Sequence, residues 1–287
     1  VMSAPNFKDL GKSARDVFTS GYHYGKTLIK LGVKAKSEIL DMGSDLRLIC
    51  DTSKLTGVMD SQYKRNYGSI IQKWTTDNNV TLGHTIDDII VPDIGLQSEV
   101  TYNPTTTAKL IKIGAKCSKE LFNASCSITT DTQFNVDVLG SVVTAIKGFL
   151  IGYQGGYNTE TNKITKNDLS MAFDYQDFGF YFRCTSIPYE YGLSLMYKVT
   201  EEWDTAVNSI VCRNGGGTLQ WMVGAGAKWK IDEASTFRCK FNSDLQLGMS
   251  LQQKLDDNVM LTLSFNIDCI NPLRGGHKVG LAFDIEV

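Results

Sequence analysis

Residues 219–230 read LQWMVGAGAKWK, and this stretch shows the pattern on which most of the chain is built. From Leu219 to Trp229 every second position is apolar, whereas the positions between them, up to Lys230, are mostly polar residues or glycine. Successive side chains of a β-strand point to opposite faces, so a two-residue period predicts a strand with one apolar and one polar face. Such a strand separates an apolar environment from a wet one.

The same alternation continues along most of the chain. Clusters of turn-forming residues such as Asp77-Asn78-Asn79 separate the runs, and the alternation is poorest at residues 41–48 and 134–143. Together the runs and turns predict an all-β domain of about nineteen strands, each of roughly ten residues, joined by tight hairpins. Further clear runs lie at residues 29–36, 122–129, 245–252, 261–268 and 279–286.

An all-β chain of this kind can bury its apolar faces against a second sheet or against lipid. In a soluble protein, about nineteen strands would form two sandwiches or a propeller, but the chain shows neither a domain boundary nor a blade repeat. Tilted strands of about ten residues span a bilayer core, and only a closed barrel leaves no unpaired backbone in lipid. We therefore predict a transmembrane β-barrel, with a soluble all-β protein as the alternative. Aromatic residues near the predicted strand ends suit an interfacial girdle: Trp74, Tyr153, Tyr157, Tyr189, Tyr191, Tyr197, Trp203 and Trp229.

The first residues of the chain follow a different period. Between Pro5 and Ser20 the apolar residues recur every three or four positions, which predicts one amphipathic helix that ends near Gly21. A barrel of this width leaves an aqueous lumen, so we expect the apolar side of the helix to lie on the inner wall. The predicted organisation is a helix with its linker at residues 1–24 and a barrel at residues 25–287. The apolar residues of the helix are Phe7, Leu10, Ala14, Val17 and Phe18.

Charged residues that face the lumen are the candidates for setting ion selectivity. Lys12, Arg15 and Asp16 lie on the polar side of the predicted helix, and Lys30 and Lys34 occupy the polar face of the first strand. Fixed cations at these places would attract anionic solutes over a long range. The competing interpretation of the three helix residues is a plain solvated face.

Gly21 and Gly25 flank the predicted connection between helix and barrel. Glycines there suit a hinge that lets the helix move when a channel opens and closes. Helix termination and a tight turn are the competing interpretation.

Composition excludes several other classes of function. The formal net charge of −2 provides no basic field for nucleic acid, and no run of about eighteen apolar residues marks a membrane helix. The seven cysteines are dispersed without a C-x-x-C pair, which favours a reducing compartment and predicts neither a disulfide framework nor a metal site. The N-terminus lacks the apolar stretch of a secretory signal. No nucleophile motif is present, so we expect no enzyme activity and no cofactor.

Several motifs resemble the mitochondrial voltage-dependent anion channels, which are the eukaryotic porins. The barrel of that family has about nineteen strands, so the strand count above agrees with the family value rather than predicting it independently. The resemblance implies a channel of the mitochondrial outer membrane that passes ATP, ADP, phosphate and small ions and closes partially with voltage. It also implies contact with membrane lipids, an N-terminal helix in the lumen and a homo-oligomer in the membrane. The motifs are residues 9–18 with Gly21-Tyr22, residues 73–78, Gly152-Tyr153-Gln154, Lys198-Val199 and residues 275–280.

Several positions depart from the pattern that this resemblance implies. Gln72 replaces an acid on the lipid-facing surface, Gln97 replaces a lysine where the resemblance implies nucleotide contact, and Ser20 replaces a lysine at the helix end. Lys26-Thr27 lengthens the connection to the first strand. Because cations are lost and the net charge is −2, we predict a weakly selective channel that favours cations.

The resemblance also marks two regions as candidates for nucleotide contact. Plain strand positions are the competing interpretation, because Asp244 and Gln246 are not the residues usual in the family. The candidates are Lys12, Asp244, Leu245, Gln246, Ser264, Asn266 and Asp268.

Several alternative functions remain beside a diffusion pore. A protein-translocating barrel of the same membrane would carry a longer N-terminal extension, and a bacterial porin would carry a signal peptide. A divergent, poorly conducting barrel could dock partner proteins, given the changes at Gln72, Gln97 and Ser20. A soluble ligand-binding β-protein is the alternative outside the membrane.

Overall fold

In the computed structural model, the described part of the chain forms a single sheet of nineteen strands preceded by a short helical segment. The structure describes residues 4–25, 27–49, 54–87, 92–213, 217–273 and 275–287. Lys26 and one of the seven cysteines, Cys50, lie outside these ranges. The strands are β1 Thr27–Lys36, β2 Leu40–Ile49, β3 Lys54–Arg65, β4 Gly68–Thr75, β5 Val80–Asp87, β6 Ile94–Tyr102, β7 Lys109–Lys119, β8 Phe122–Asp131, β9 Val136–Ile146, β10 Phe149–Asn158, β11 Lys163–Tyr175, β12 Phe178–Thr185, β13 Glu190–Lys198, β14 Trp203–Arg213, β15 Leu219–Lys230, β16 Ser235–Asn242, β17 Gln246–Asp256, β18 Val259–Asp268 and β19 Lys278–Glu286.

The sheet closes on itself. Each strand pairs antiparallel with the next, and because the number of strands is odd, β1 and β19 run in the same direction and pair in parallel. Leu31 lies opposite Phe283 across this parallel pair. Closure leaves no strand edge unpaired, which is what a sheet surrounded by lipid requires. The predicted β-barrel of about nineteen strands is confirmed, and the soluble sandwich or propeller is excluded.

The pairing register sorts the side chains into an outer and an inner face. Apolar residues lie opposite apolar residues, as Leu31 does to Leu46 and Phe283, and this row points outward. Outer side chains such as Ile113 and Trp221 are 60% and 69% exposed, as expected of a surface that lipid covers. The poorly alternating residues 41–48 and most of 134–143 nevertheless form β2 and β9.

The predicted aromatic girdle is largely confirmed. All eight aromatic residues named above are exposed. Trp203 opens β14, and Trp74 and Trp229 are each one residue from the end of their strands. Tyr153 is the exception, because it lies in the middle of β10. No helix among the described residues is both long and apolar enough to cross a membrane.

The N-terminal segment is a broken helix, so the prediction of one continuous helix over residues 5–20 was wrong. A single 3-10 turn at Phe7–Asp9 is followed by the α-helix α1, Lys12–Thr19. Gly11 separates them with a φ of +66°, a left-handed conformation that glycine adopts readily. The Cα atom of Gly11 lies against the Tyr181 ring, and a Cβ added at Gly11 would be 3.2 Å from the ring carbon Cγ. The break therefore lets the backbone at Gly11 approach the Tyr181 ring closely.

Apolar residues of the broken helix pack on the inner wall, as predicted. Phe7, Leu10, Ala14 and Val17 are at most 6% exposed. Burying a side chain such as Phe7 or Leu10 contributes about 1.5–3 kcal/mol, so this contact holds the segment inside the barrel. The 3-10 turn contacts β9 and β10, and α1 contacts β13 to β16. The wall side of this core is made of Val143, Leu150, Ala172, Tyr181 and Met196.

Candidate functional site

The charged side of α1 faces the lumen. Lys12 is exposed, and Arg15 and Asp16 are half-buried on the side away from Ala14 and Val17. The Arg15 guanidinium donates to the Lys8 carbonyl oxygen over 2.7 Å, which fixes its direction without cancelling its charge. Among the described residues none of these three forms an ion pair. Two cations and one anion therefore lie on the lumenal side of α1.

Lys30, in contrast, belongs to a neutralised cluster on the inner wall. Its Nζ atom lies 3.0 Å from an Asp284 carboxylate oxygen and 3.7 Å from one of Asp45, and its side chain is only 16% exposed. Arg47 contacts the second carboxylate oxygen of Asp45 at 3.6 Å. Lys34 is exposed further along β1. Of the two predicted wall cations, only Lys34 thus offers its charge to solutes.

Other lysines of the inner wall are paired in the same way. The ammonium-to-carboxylate distance is 2.7 Å for Lys64 and Asp41 and 3.0 Å for Lys116 and Asp87. A longer contact of 3.8 Å joins Lys228 on β15 to Asp204 on β14. Because each pair sums to no net charge, the wall creates a weaker anion-attracting field than its lysine content alone implies.

The linker, defined here as residues Ser20–Gly25, lies along the inner wall rather than free in the lumen. The Gly21 carbonyl oxygen accepts from the Ser250 hydroxyl at 2.5 Å and from the Ser264 hydroxyl at 3.4 Å. The His23 N–H donates to the Ser264 oxygen at 3.0 Å. At Gly25, with a φ of +111°, a Cβ would meet no atom of the other described residues within 4 Å. Of the two predicted hinge glycines, Gly21 is thus held and Gly25 is in open space.

Part of the predicted nucleotide region lines a cavity of about 680 Å³ beside the end of α1. Gln246, Asn266 and Asp268 contribute to it, together with Lys240 and Lys278. Asn266 donates its amide to the Gln246 side-chain oxygen at 2.8 Å, which orients both groups. The cavity therefore offers amides, a carboxylate and ammonium groups to a polar solute.

The other nucleotide candidates lie elsewhere. Ser264 is fully buried beneath the linker, so the lumen does not reach it in this conformation. Asp244 and Leu245 form the turn before β17, and Lys12 is on α1. The structure thus brings together three of the seven candidates.

Comparison with known proteins decides the family. A family model described as eukaryotic porin matches residues 3–280. The chain belongs to the eukaryotic porin family. The resemblance inferred from the sequence motifs is thereby confirmed.

This porin is similar over nearly its whole length to curated relatives. It is 34% identical to the protein named non-selective voltage-gated ion channel VDAC2 of Meleagris gallopavo, over 98% of this chain and 94% of the relative. The corresponding human VDAC2 is also 34% identical, with 98% and 95% coverage. The protein of Ovis aries named non-selective voltage-gated ion channel VDAC1 is 32% identical, with 98% coverage of both chains.

Gln72 lies on the outer face of this porin, which is the face that the resemblance implies for this position. Gln72 lies in the middle of β4, half-buried between Ser61 on β3 and Leu82 on β5. Its row also contains Trp74 and Ile70, which are exposed on the outer face. A neutral amide therefore stands at mid-depth where the resemblance implies an acid.

Sequence reasoning missed several residues that hold the helix of this porin. The Tyr181 hydroxyl donates to Asp174 and shares a 2.7 Å hydrogen bond with the Ser13 hydroxyl. Lys240 and Arg238, on β16, lie against the linker and the end of α1. The alternation of β16 places both cations on its polar face, so their inward direction was predictable. Their partners were not predictable, because Lys240 contacts Phe18, which is 222 residues away in sequence.

Proposed function

We propose that this porin is a voltage-gated diffusion channel of the mitochondrial outer membrane that passes metabolites such as ATP, ADP and phosphate together with small ions. The closed barrel with a charged helix on its inner wall supports the proposal most directly. Transport through such a lumen is passive and needs no nucleophile or cofactor. The relatives' names, which describe voltage-gated ion channels, support the same function.

The pairing of the wall lysines with carboxylates and the formal net charge of −2 support a weakly selective channel that favours cations. Lys30, Lys64 and Lys116 each lie at 2.7–3.0 Å from a carboxylate, so their charges are largely cancelled. Among the described residues, Lys12 and Arg15 form no ion pair, and Asp16 lies beside them on α1. In this proposal Lys12, Arg15 and Asp16 line the narrowest part of the pathway. Metabolite phosphates then pass by transient contacts rather than at a strong binding site.

A second part of the proposal concerns nucleotides and membrane partners. The cavity beside α1 would contact a nucleotide in transit through Gln246, Asn266 and Asp268. Lipids cover the outer face, and homo-oligomers in the membrane are compatible with its apolar surface. A poorly conducting barrel that docks partner proteins is the alternative to a conducting pore.

Conductance in a planar bilayer tests the proposal. We expect the detergent-purified protein to produce large unitary currents that fall to substates when voltage of either sign is applied. Under a KCl gradient, the reversal potential should be small and have the sign of cation preference. Correctly folded protein without conductance would contradict the pore and favour the docking barrel, and a reversal potential of the opposite sign would contradict the selectivity alone.

A further inference from the structure

The C-terminal end of α1 is capped by the barrel wall rather than by the helix itself. The last turn of α1 contains no basic residue, although its final carbonyl groups lack intrahelical partners and carry partial negative charge. The Lys240 ammonium, from the inner face of β16, donates to the Phe18 carbonyl oxygen over 2.5 Å. A cation from the wall thus occupies the place where helices favour a positive charge.

The same ammonium contacts two aromatic rings of the linker. The Lys240 Nζ atom lies 4.1 Å from the ring centre of Tyr22 and 5.4 Å from that of Tyr24. The two rings meet edge to face with their centres 5.7 Å apart. An ammonium within about 6 Å of a ring face is attracted by the π-electrons, most strongly where water is excluded. One side chain therefore holds both the end of the helix and the segment after it.

The wall around this contact is shaped to receive the linker. Besides the Ser250 and Ser264 hydroxyl groups described above, Gly280 on β19 lies directly beneath His23, where any Cβ would clash with the His23 carbonyl oxygen. Arg238 lies against Gly21 and is held by a 2.8 Å hydrogen bond to the Gln252 side chain. Strands β16 to β19 thus form a seat for the linker.

We propose that Lys240 is a positioning residue that latches the N-terminal helix to the barrel wall. In this role its charge is used to hold α1 rather than to attract ions, and the latch must open before the helix can leave the wall. The open conformation of the channel is then stabilised by the latch, and removal of the latch favours closure. The last statement rests on the proposed voltage-gated function, whereas the latch itself does not.

Amide hydrogen exchange, followed by mass spectrometry on the intact protein in detergent, tests the latch directly. Lys240→Met should accelerate exchange in peptides covering residues 15–24 by about tenfold, since a cation–π contact and a charged hydrogen bond are both lost. Lys73→Met is the matched control, because Lys73 also faces the lumen and makes no described contact with residues 4–25. Lys240→Arg should restore protection because arginine keeps both interactions.

Gating measurements then test what the latch does for the channel. In planar bilayers Lys240→Met should populate the low-conductance state about tenfold more at a given voltage than Lys73→Met does. Equal exchange and equal gating of the two variants would overturn the proposal. Faster exchange in Lys240→Met with unchanged gating would overturn the role of the latch in channel closure but support the contact of Lys240 with the helix and linker. A wild-type protein without conductance would contradict the proposed function, while the exchange result would still decide the latch.

A second variant guards against misfolding of the barrel. Tyr22→Leu combined with Tyr24→Leu removes the two rings from the linker and changes no residue of a strand. This double variant should also accelerate exchange in residues 15–24 while exchange in β2 to β8 stays as in the wild type. Unchanged exchange in the linker peptides would overturn the contribution of the rings.

Discussion

Gly11 shows how one residue decides the course of the N-terminal segment. Its φ of +66° and its contact with the Tyr181 ring each disfavour a larger side chain. The helical period of the sequence could not reveal the break, since the apolar residues on both sides keep their spacing. The ring that requires the break is supplied by a strand more than 160 residues further along the chain.

We predict that Gly11→Ala loosens this segment. A left-handed alanine costs about 1–2 kcal/mol, and its Cβ would also press on the Tyr181 ring. Amide exchange of residues 4–20 should therefore accelerate, while the strands stay protected. Gly140→Ala is the control, because a Cβ at Gly140 meets nothing within 4 Å. Equal exchange in both variants would show that Gly11 does not constrain the segment.

Lys30 shows that the sequence alone also does not reveal which charges are neutralised by residues of distant strands. The alternation of β1 predicts that it points inward, but not that Asp284 and Asp45 cancel its charge. Asp284 is on β19 and pairs with β1 only through the closure of the barrel. A sequence therefore indicates which charges face a lumen, whereas the register decides which of them remain free.

Removing the Lys30 charge should lower the free energy of unfolding more than removing the Lys34 charge. Lys30→Gln leaves two carboxylates without their shared partner, and we expect a loss of roughly 1–2 kcal/mol in unfolding free energy. It should also shift the reversal potential towards cations. Lys34→Gln should change stability little, since the exposed Lys34 forms no ion pair among the described residues. Denaturant unfolding in detergent compares the two variants, and equal losses would contradict a specific role of the cluster.

At the scale of elements, the strands and the presence of an N-terminal amphipathic helix were largely predictable, whereas the break of that helix at Gly11 was not. A two-residue period fixes which side chains face outward even where it is weak, as in β2 and β9, because each strand is also bound to two neighbours. The N-terminal segment has no such neighbours on both sides. Its local conformation follows the surface on which it lies, and that surface is assembled from distant strands.

The turn between β15 and β16 provides a pH-dependent element. Hydrogen bonds from Ser235 and from the Ala234 N–H lower the pKa of Asp232 below its ordinary value of 3.8. A lowered pKa means that the ionised form stabilises the folded turn above pH 3.8, and that this stabilisation disappears as the pH falls through the folded pKa.

Asp232→Asn should therefore destabilise the protein at neutral pH, with a difference from wild type that shrinks in acid. Urea unfolding midpoints measured from pH 7 downward check this expectation. Glu233→Gln is the matched control in the same turn, because Glu233 makes no described hydrogen bond. A difference between Asp232→Asn and wild type that stays constant with pH would contradict the stabilising role of the Asp232 charge.

At the scale of the whole molecule, the barrel was predictable from the strand patterning together with the lack of a domain boundary or blade repeat, and the family resemblance supported the strand number. An odd number of hairpin-connected strands can close only through one parallel pair, and the structure has that pair between β1 and β19. The position of α1 on the inner wall also followed from its apolar side. The seat of the linker could not be predicted, because it combines Lys240, Ser250, Ser264 and Gly280 from four different strands.

The seat has a consequence for the order in which the molecule is made. Gly21 and His23, which are synthesised at the start, rest on Ser264 and Gly280, which are synthesised near the end. The parallel pair likewise joins the first strand to the last. Contacts of such long sequence separation form late in folding. The ring of strands and the seat of the linker are therefore completed together, and a chain released before β18 and β19 would have neither.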